Sequence, residues 1–277
     1  MILTIDDPGD PRVADYRDIP DPELLRRHGV FIVEGRQVVR HLLASGRFET
    51  RSVLVSPAAL EGLRDVLDAQ GRLPVFVMPV ERLTALVGFN VHRGCLAIGV
   101  RPRATPVEAW WQQAAASGLG VGAERLGDGD NMGALFRNAL AFGAGGILLS
   151  PGCCDPLYRK SIRVSMGAAL RLPHAVDVQW PGSLRRLREA GARVLALTPQ
   201  PPARDLDEAL SAMAPGTTVV LLTGHEGDGL SDGALHAAGE RARIALAPGV
   251  DSLNVATAAG IALHTCRRRL GWQGAVP

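Results

Sequence analysis

Thr218-Val-Val-Leu-Leu-Thr-Gly-His-Glu-Gly227 is an apolar run that stops abruptly at a glycine-bounded polar turn. A short, continuous apolar stretch of this kind predicts a strand buried on both faces, with the turn at its carboxyl end. Working outward, Ile147-Leu-Leu149, Arg193-Val-Leu-Ala-Leu197 and Arg243-Ile-Ala-Leu246 repeat the pattern, each bounded by Gly or Pro. Helical stretches fall between them, the last from Ser252 to about Leu270. This alternation predicts an α/β fold with a parallel sheet, whose ligand site belongs at the carboxyl ends of the strands.

The N-terminal third has a rhythm of its own. Val30–Val33, Ser52–Val55, Val75–Met78 and Cys95–Gly99 read as strands, with helices expected over 34–43, 58–68 and 80–86. After Arg101-Pro-Arg-Ala-Thr-Pro106 the pattern weakens, and Val107 to Ala116 reads as a short connecting helix. The expected division is therefore a smaller α/β domain over 1–104, a linker helix over 105–117 and a larger α/β domain over 118–277.

Composition narrows the class. With 277 residues, 47% of them hydrophobic, the chain has enough apolar surface for real cores. It has no run of about eighteen apolar residues, and its first residues carry no secretion-signal pattern, so a cytoplasmic location is expected. Cys95, Cys153, Cys154 and Cys266 show no metal-type spacing and are expected as reduced thiols, with no metal site. The net charge of +2 rules out an argument from bulk charge for nucleic-acid binding. Lys160 is the sole lysine, so nearly every cation is an arginine, the side chain that grips phosphate bidentately.

Three segments carry the candidate chemistry: Asn131-Met-Gly-Ala-Leu-Phe-Arg137, Gly224-His-Glu-Gly227 and Ser252-Leu-Asn254. Glycine motifs of other folds do not fit them. A dinucleotide fingerprint needs glycine where Met132 stands, a phosphate loop needs Lys-Ser/Thr after its last glycine, and His225-Glu226 lacks a second histidine because position 229 is Gly. Asn131 is expected to cap a helix ending near Gly143, with Arg137 leaning back over Gly133 toward the helix start. Asp251 or Ser252 is expected to cap the last helix, whose small residues Ala256, Ala258, Ala259 and Gly260 permit close packing.

Taken in order, the three segments resemble the motifs of the SpoU/TrmH family of RNA ribose 2′-O-methyltransferases, within the SPOUT superfamily. Asp155–Gly167 resembles the family's segment after the first motif, and the N-terminal domain resembles its L30e-like RNA-binding domain. The resemblance implies a deep trefoil knot in the C-terminal domain and S-adenosylmethionine (SAM) bound within it. It assigns Thr223, Gly224, Glu226, Gly227, Ile244, Leu246, Leu253 and Asn254 to the cofactor and Asn131, Arg137, Ser252 and Asn254 to catalysis. Arginine stays protonated under nearly all conditions, so Arg137 is expected to clamp phosphate and stabilise the developing alkoxide rather than act as a base.

The resemblance also implies a homodimer with the site at the subunit interface. The expected substrate is RNA, with 23S ribosomal RNA favoured; transfer RNA, or a silent knotted RNA-binding protein, are the alternatives. Arg36, Arg40, Arg93, Arg159, Lys160 and Arg163 are the candidate RNA contacts. Departures from the family pattern are His225, Ala245 and Gly129, which bear on loop rigidity rather than on the polar groups.

Overall fold

The computed structural model describes residues 1–17, 20–88, 91, 94–214 and 216–271. The chain forms two compact units, one of Met1–Arg103 with Asp155–Arg171, the other of Ala104–Cys154 with Leu172–Pro277. The division falls between Arg103 and Ala104, and Asp155–Arg171 clusters with the first unit although in sequence it interrupts the second.

The first unit is built on five strands: β1 (Ile2–Thr4), β2 (Val30–Glu34), β3 (Thr50–Val55), β4 (Val75–Val77) and β5 (Cys95–Val100). Their order is β1-β4-β3-β5-β2, with β5 antiparallel to both neighbours and the remaining pairs parallel. Alternate residues feed two cores. Phe31, Val33, Val53, Val55 and Ala97 enter one, while Val30, Ile32, Leu54, Leu96 and Ile98 enter the other. Both faces are thus buried, which is why these strands read as continuous apolar runs.

Helix Arg36–Ser45 seals the first face with Val38, Val39, Leu42 and Leu43, spaced to form one stripe, and ends at Gly46 in the left-handed conformation. Leu157, Ile162 and Leu170 complete that core, which is what binds Asp155–Arg171 to this unit. The helix expected over 58–68 is split into Pro57–Glu61 and Arg64–Asp68, because Gly62 caps the first piece.

The second unit holds β6 (Leu119–Ala123), β7 (Ile147–Leu149), β8 (His174–Val176), β9 (Arg193–Leu197), β10 (Arg204–Asp205), β11 (Val219–Thr223) and β12 (Glu240–Arg243). All neighbours are parallel, in the order β10-β12-β9-β11-β6-β7-β8. From β6 the chain runs outward through β7 and β8 and then returns to the other side of the sheet. There β11 is seated between β6 and β9, so β6 and β11 lie side by side with their carboxyl ends together. Trp110, Leu184, Leu187, Ala234 and Leu235 cover one face, against Val194, Val220 and Leu222. Helix Val255–Arg269 packs against helix Gly129–Ala141 and against β11.

Two differences from the sequence reading have clear causes. The last strand is Glu240–Arg243 rather than 243–246, because its partner β9 ends where Leu197 meets Ala242 and leaves Ile244 onward without a ladder. Strand β6 is not apparent in the sequence because glycines interrupt its apolar pattern. A Cβ at Gly120 would lie 3.0 Å from the Trp110 ring, and one at Gly122 would lie 2.4 Å from Leu222 Cδ2. Small residues are what allow a helix and a neighbouring strand to close on β6.

Candidate functional site

The carboxyl ends of β6 and β11 lead directly into the first two candidate segments. After β6, Asp128 caps helix Gly129–Ala141, its carboxylate accepting from the backbone N–H groups of Asp130 and Asn131 at 2.6 and 3.1 Å. The expected cap, Asn131, is therefore one turn inside the helix. Because Asp128 satisfies the orphan N–H groups, the Asn131 amide is free to reach outward.

That amide joins all three segments. Its Nδ2 donates to Glu226 Oε1 at 3.1 Å, and its Oδ1 accepts from Asn254 Nδ2 at 2.8 Å. Asn254 in turn caps the last helix, accepting from Ala256 N and Thr257 N at 3.0 and 3.2 Å, a role expected of Asp251 or Ser252. The backbone N–H of Asp128 adds a further bond to Glu226 Oε1 at 3.2 Å. A primary amide both donates and accepts, which lets one side chain tie a carboxylate to a second amide.

Partial burial, the largest single influence on Glu226, works to raise its carboxyl. Hydrogen bonds from its own backbone N–H, the Asn131 amide and the N–H groups of Asp128 and Gly127 outweigh it, and the group sits below the ordinary glutamate value. A carboxylate so held stays ionised at neutral pH. It is a poor proton acceptor and a good fixed negative charge.

The loop after β11 closes on itself. His225 and Gly229 exchange backbone hydrogen bonds at 3.0 and 3.1 Å, while His225 Nδ1 accepts from Gly227 N and Asp228 N at 3.0 and 3.2 Å. The imidazole hydrogen accordingly belongs on Nε2. At the base of the loop, a Cβ on Gly224 would lie 2.2 to 2.5 Å from backbone atoms of Gly229 and Leu230, so no side chain fits there. Beyond the loop, the buried Glu124 accepts from Ser231 N, Ser231 Oγ and Trp180 Nε1 at 2.7, 2.7 and 2.9 Å. Ser231 caps helix Asp232–Ala238, so Glu124 anchors the loop's far end to β6.

These elements surround a pocket of about 320 Å³. Thr223, Gly224, Glu226, Gly227, Ile244, Leu246, Leu253 and Asn254 all line it, together with Asn131 and Ser252. Arg137 does not; it is an exposed residue two turns along the helix from Asp128. Leu197 at the end of β9, and Thr198, Pro199 and Gln200 in the loop after it, also line the pocket and were missed in the sequence. Their signal was present as Thr198-Pro-Gln-Pro-Pro202, a breaker cluster at the carboxyl end of an apolar run.

Among the described residues the lining includes two carboxylates, Glu226 and Asp228, and neither lysine nor arginine. Aliphatic walls from Leu197, Ile244, Leu246 and Leu253 and glycine backbone at 224 and 227 complete it. Such a surface suits a ligand with a flat apolar part and a positive charge. SAM has both, an adenine ring and a sulfonium with an ammonium.

The candidate RNA contacts are spread over the first unit. Arg40 is bidentate to Asp65 at 2.7 Å and also donates to Gly62 O, and Arg159 binds Asp21 through its side chain and its backbone N–H, both at 2.8 Å. Both guanidiniums are thus already engaged, which counts against them as phosphate ligands. Arg163 lies 3.8 Å from the buried Glu34, Arg36 is half-buried and Lys160 is exposed. Arg93 lies outside the described residues.

None of the four cysteines is in a disulfide, and burial pushes the thiols of Cys95 and Cys266 up to about 12. Among the described residues no group of His, Cys, Asp and Glu is placed to hold a metal ion, and no helix is long and apolar enough to cross a membrane.

Comparison with known proteins gives one consistent answer. The SpoU rRNA Methylase family matches over residues 118–264. A Mycobacterium tuberculosis protein described as a tRNA/rRNA methyltransferase is 38% identical over 93% of this chain and 89% of its own length. The crystal structure of an rRNA methyltransferase from Sinorhizobium meliloti superposes with a TM-score of 0.80, at 27% identity, covering 97% of this chain and 98% of that one. The AdoMet-bound form of the Sinorhizobium meliloti enzyme superposes with a TM-score of 0.79 at 26% identity.

Proposed function

The chain belongs to the SpoU rRNA Methylase family of SAM-dependent RNA methyltransferases, and from that premise we propose that it methylates a ribose 2′-hydroxyl of 23S ribosomal RNA. The observation that carries this reading is the Asn131 amide, which links Glu226 and Asn254 and so draws the three segments to one pocket. When bound, SAM supplies an electrophilic sulfonium methyl group for transfer to oxygen.

The roles of the chain's own groups follow from their chemistry. The ionised Glu226, with Asp228 beside it, favours a cationic ligand in the pocket, while Ile244, Leu246 and Leu253 bury its apolar ring. Asn131, Ser252 and Asn254 present amide and hydroxyl groups that orient the ribose, and holding two reactants in line supplies much of the acceleration in such a transfer. A guanidinium is a poor base, so the role given to Arg137 is to clamp the substrate phosphate and stabilise negative charge developing on the 2′-oxygen. The hydroxyl proton passes to water as the oxygen–methyl bond forms.

The reading includes a homodimer formed through the second unit, with the site at the interface. In its support, an open groove between helices Gly129–Ala141 and Val255–Arg269 includes the exposed Ile261 and shares Asn254 with the pocket. It also includes an L30e-like, RNA-binding first unit in which the arginines and Lys160 named above are the candidate contacts, a trefoil knot around the cofactor, and a cytoplasmic location.

The test is methyl transfer from tritiated SAM to unmodified 23S rRNA and tRNA transcripts, followed by nucleoside mass spectrometry. A 2′-O-methyl nucleoside in 23S rRNA is expected. Incorporation into a base refutes the ribose assignment, incorporation into tRNA alone refutes the ribosomal one, and none in either refutes the activity. Arg137→Ala should abolish transfer while SAM still binds; unchanged turnover rejects its role.

A further inference from the structure

Arg125 and Met166 are the two non-glycine residues with left-handed backbone among those described, and Arg125, at φ 49°, stands at the carboxyl end of β6. The surrounding chain imposes that conformation. Glu124 before it and Leu126 after it are buried, its own N–H donates to Ser150 Oγ at 2.9 Å, and Leu126 O accepts from Cys154 N at 2.7 Å. Glycine would make this turn without strain, and a long side chain makes it at a cost. Strain of this kind persists where the side chain is of use, which is the direction the inference runs from an observed outlier.

What the strained backbone achieves is the placement of a cation. The Arg125 side chain is 48% exposed, and its Nη2 lies 3.7 Å from Oδ2 of Asp228, itself 74% exposed. That separation is too long for a hydrogen bond, and an exposed pair of this kind is weak, so the guanidinium keeps its donors for another acceptor. Asp228 lines the pocket, whose described lining holds two carboxylates and no lysine or arginine. A ribose whose 2′-hydroxyl enters this pocket carries a phosphate on its neighbouring 3′-oxygen, and unscreened carboxylates at the mouth repel it. Arg125 sets a positive charge near Asp228 from outside the lining and presents a planar set of donors there.

We propose that Arg125 binds the RNA phosphate flanking the target ribose at the mouth of the pocket. This rests on the reading that an RNA ribose is the methyl acceptor. The contact is to the backbone and carries no base information, so it sets affinity and register rather than sequence preference.

The experiment compares wild type, Arg125→Gly and Arg125→Lys as full chains, using the 23S rRNA transcript and SAM as separate ligands. Arg125→Gly relieves the backbone, so its thermal midpoint should equal or exceed that of wild type; a lowered midpoint would overturn the strain argument. Its affinity for the transcript should fall on the order of 5–10-fold, and the slope of log K against log salt should become shallower by about one. SAM affinity should not change, and Arg125→Lys should restore most of the salt slope. Unchanged RNA affinity and slope in Arg125→Gly overturn the proposal, as does a loss of SAM affinity of equal size, which would make Arg125 a brace for the Asp228 loop. A wild-type chain that neither binds nor methylates RNA refutes the proposed function itself, a result distinct from any difference between variants.

Discussion

Substituting Gly224 by alanine tests whether the loop after β11 is the cofactor cradle. The new methyl group would stand 2.2 Å from Gly229 C, where ordinary contact begins at 3.4 Å, so one backbone must retreat by the difference, 3.4 − 2.2, or about 1.2 Å. The obstructing atoms are main chain on both sides, so no rotamer change relieves the clash. Overpacking of this kind costs about 1–3 kcal/mol. The alternative, opening the loop, breaks the two His225–Gly229 bonds at about 0.5–1.5 kcal/mol each, which amounts to much the same. Either route displaces Gly227 and Asp228 from the pocket wall. Converted at 1.4 kcal/mol per decade, 1–3 kcal/mol is roughly a 5- to 150-fold loss of affinity for SAM. Isothermal titration of the folded variant reads this directly, with thermal denaturation alongside. Wild-type affinity in Gly224→Ala would refute the reasoning, since it would mean that the loop yields at no cost or that the ligand binds elsewhere.

Three further outcomes follow from the same geometry. Glu124→Ala leaves Trp180 Nε1 and both donors of Ser231 without their acceptor, so urea denaturation should show a loss of about 2–4 kcal/mol; a change under about 0.5 kcal/mol would show that Glu124 anchors nothing. Asn131→Asp puts a carboxylate oxygen where an amide now donates to Glu226 at 3.1 Å, so the Glu226 titration followed by NMR should move up, and an unmoved titration would reject the contact. Glu226 itself has a lowered folded value, so its contribution to stability is complete above its ordinary 4.5 and is lost as pH falls through the lower folded value. Glu226→Gln should therefore flatten the stability profile below about pH 4.5, and a profile parallel to wild type there would contradict the sign.

Apolar runs bounded by Gly or Pro made β7, β9 and β11 legible nearly to the residue, because burial on both faces leaves a continuous local signature. The three polar segments were legible only through their joint order, since glycine turns and amide caps each have common local uses. What local pattern could not show is β6, whose glycines answer to Trp110 and Leu222 rather than to their sequence neighbours. Nor could it show that Asp128 and Asn254 are the helix caps, which depends on where the backbone turns into each helix.

By itself, then, the sequence determined the α/β class and the identity of the residues able to serve a site. Only the tertiary structure decided that they meet. Asn131 bonds to Glu226 and Asn254 across 95 and 123 residues, because β11 is seated beside β6 and brings their loops to one edge of the sheet. Strand order is settled by hydrogen bonds and packing between distant segments, and periodicity within a segment carries no record of it.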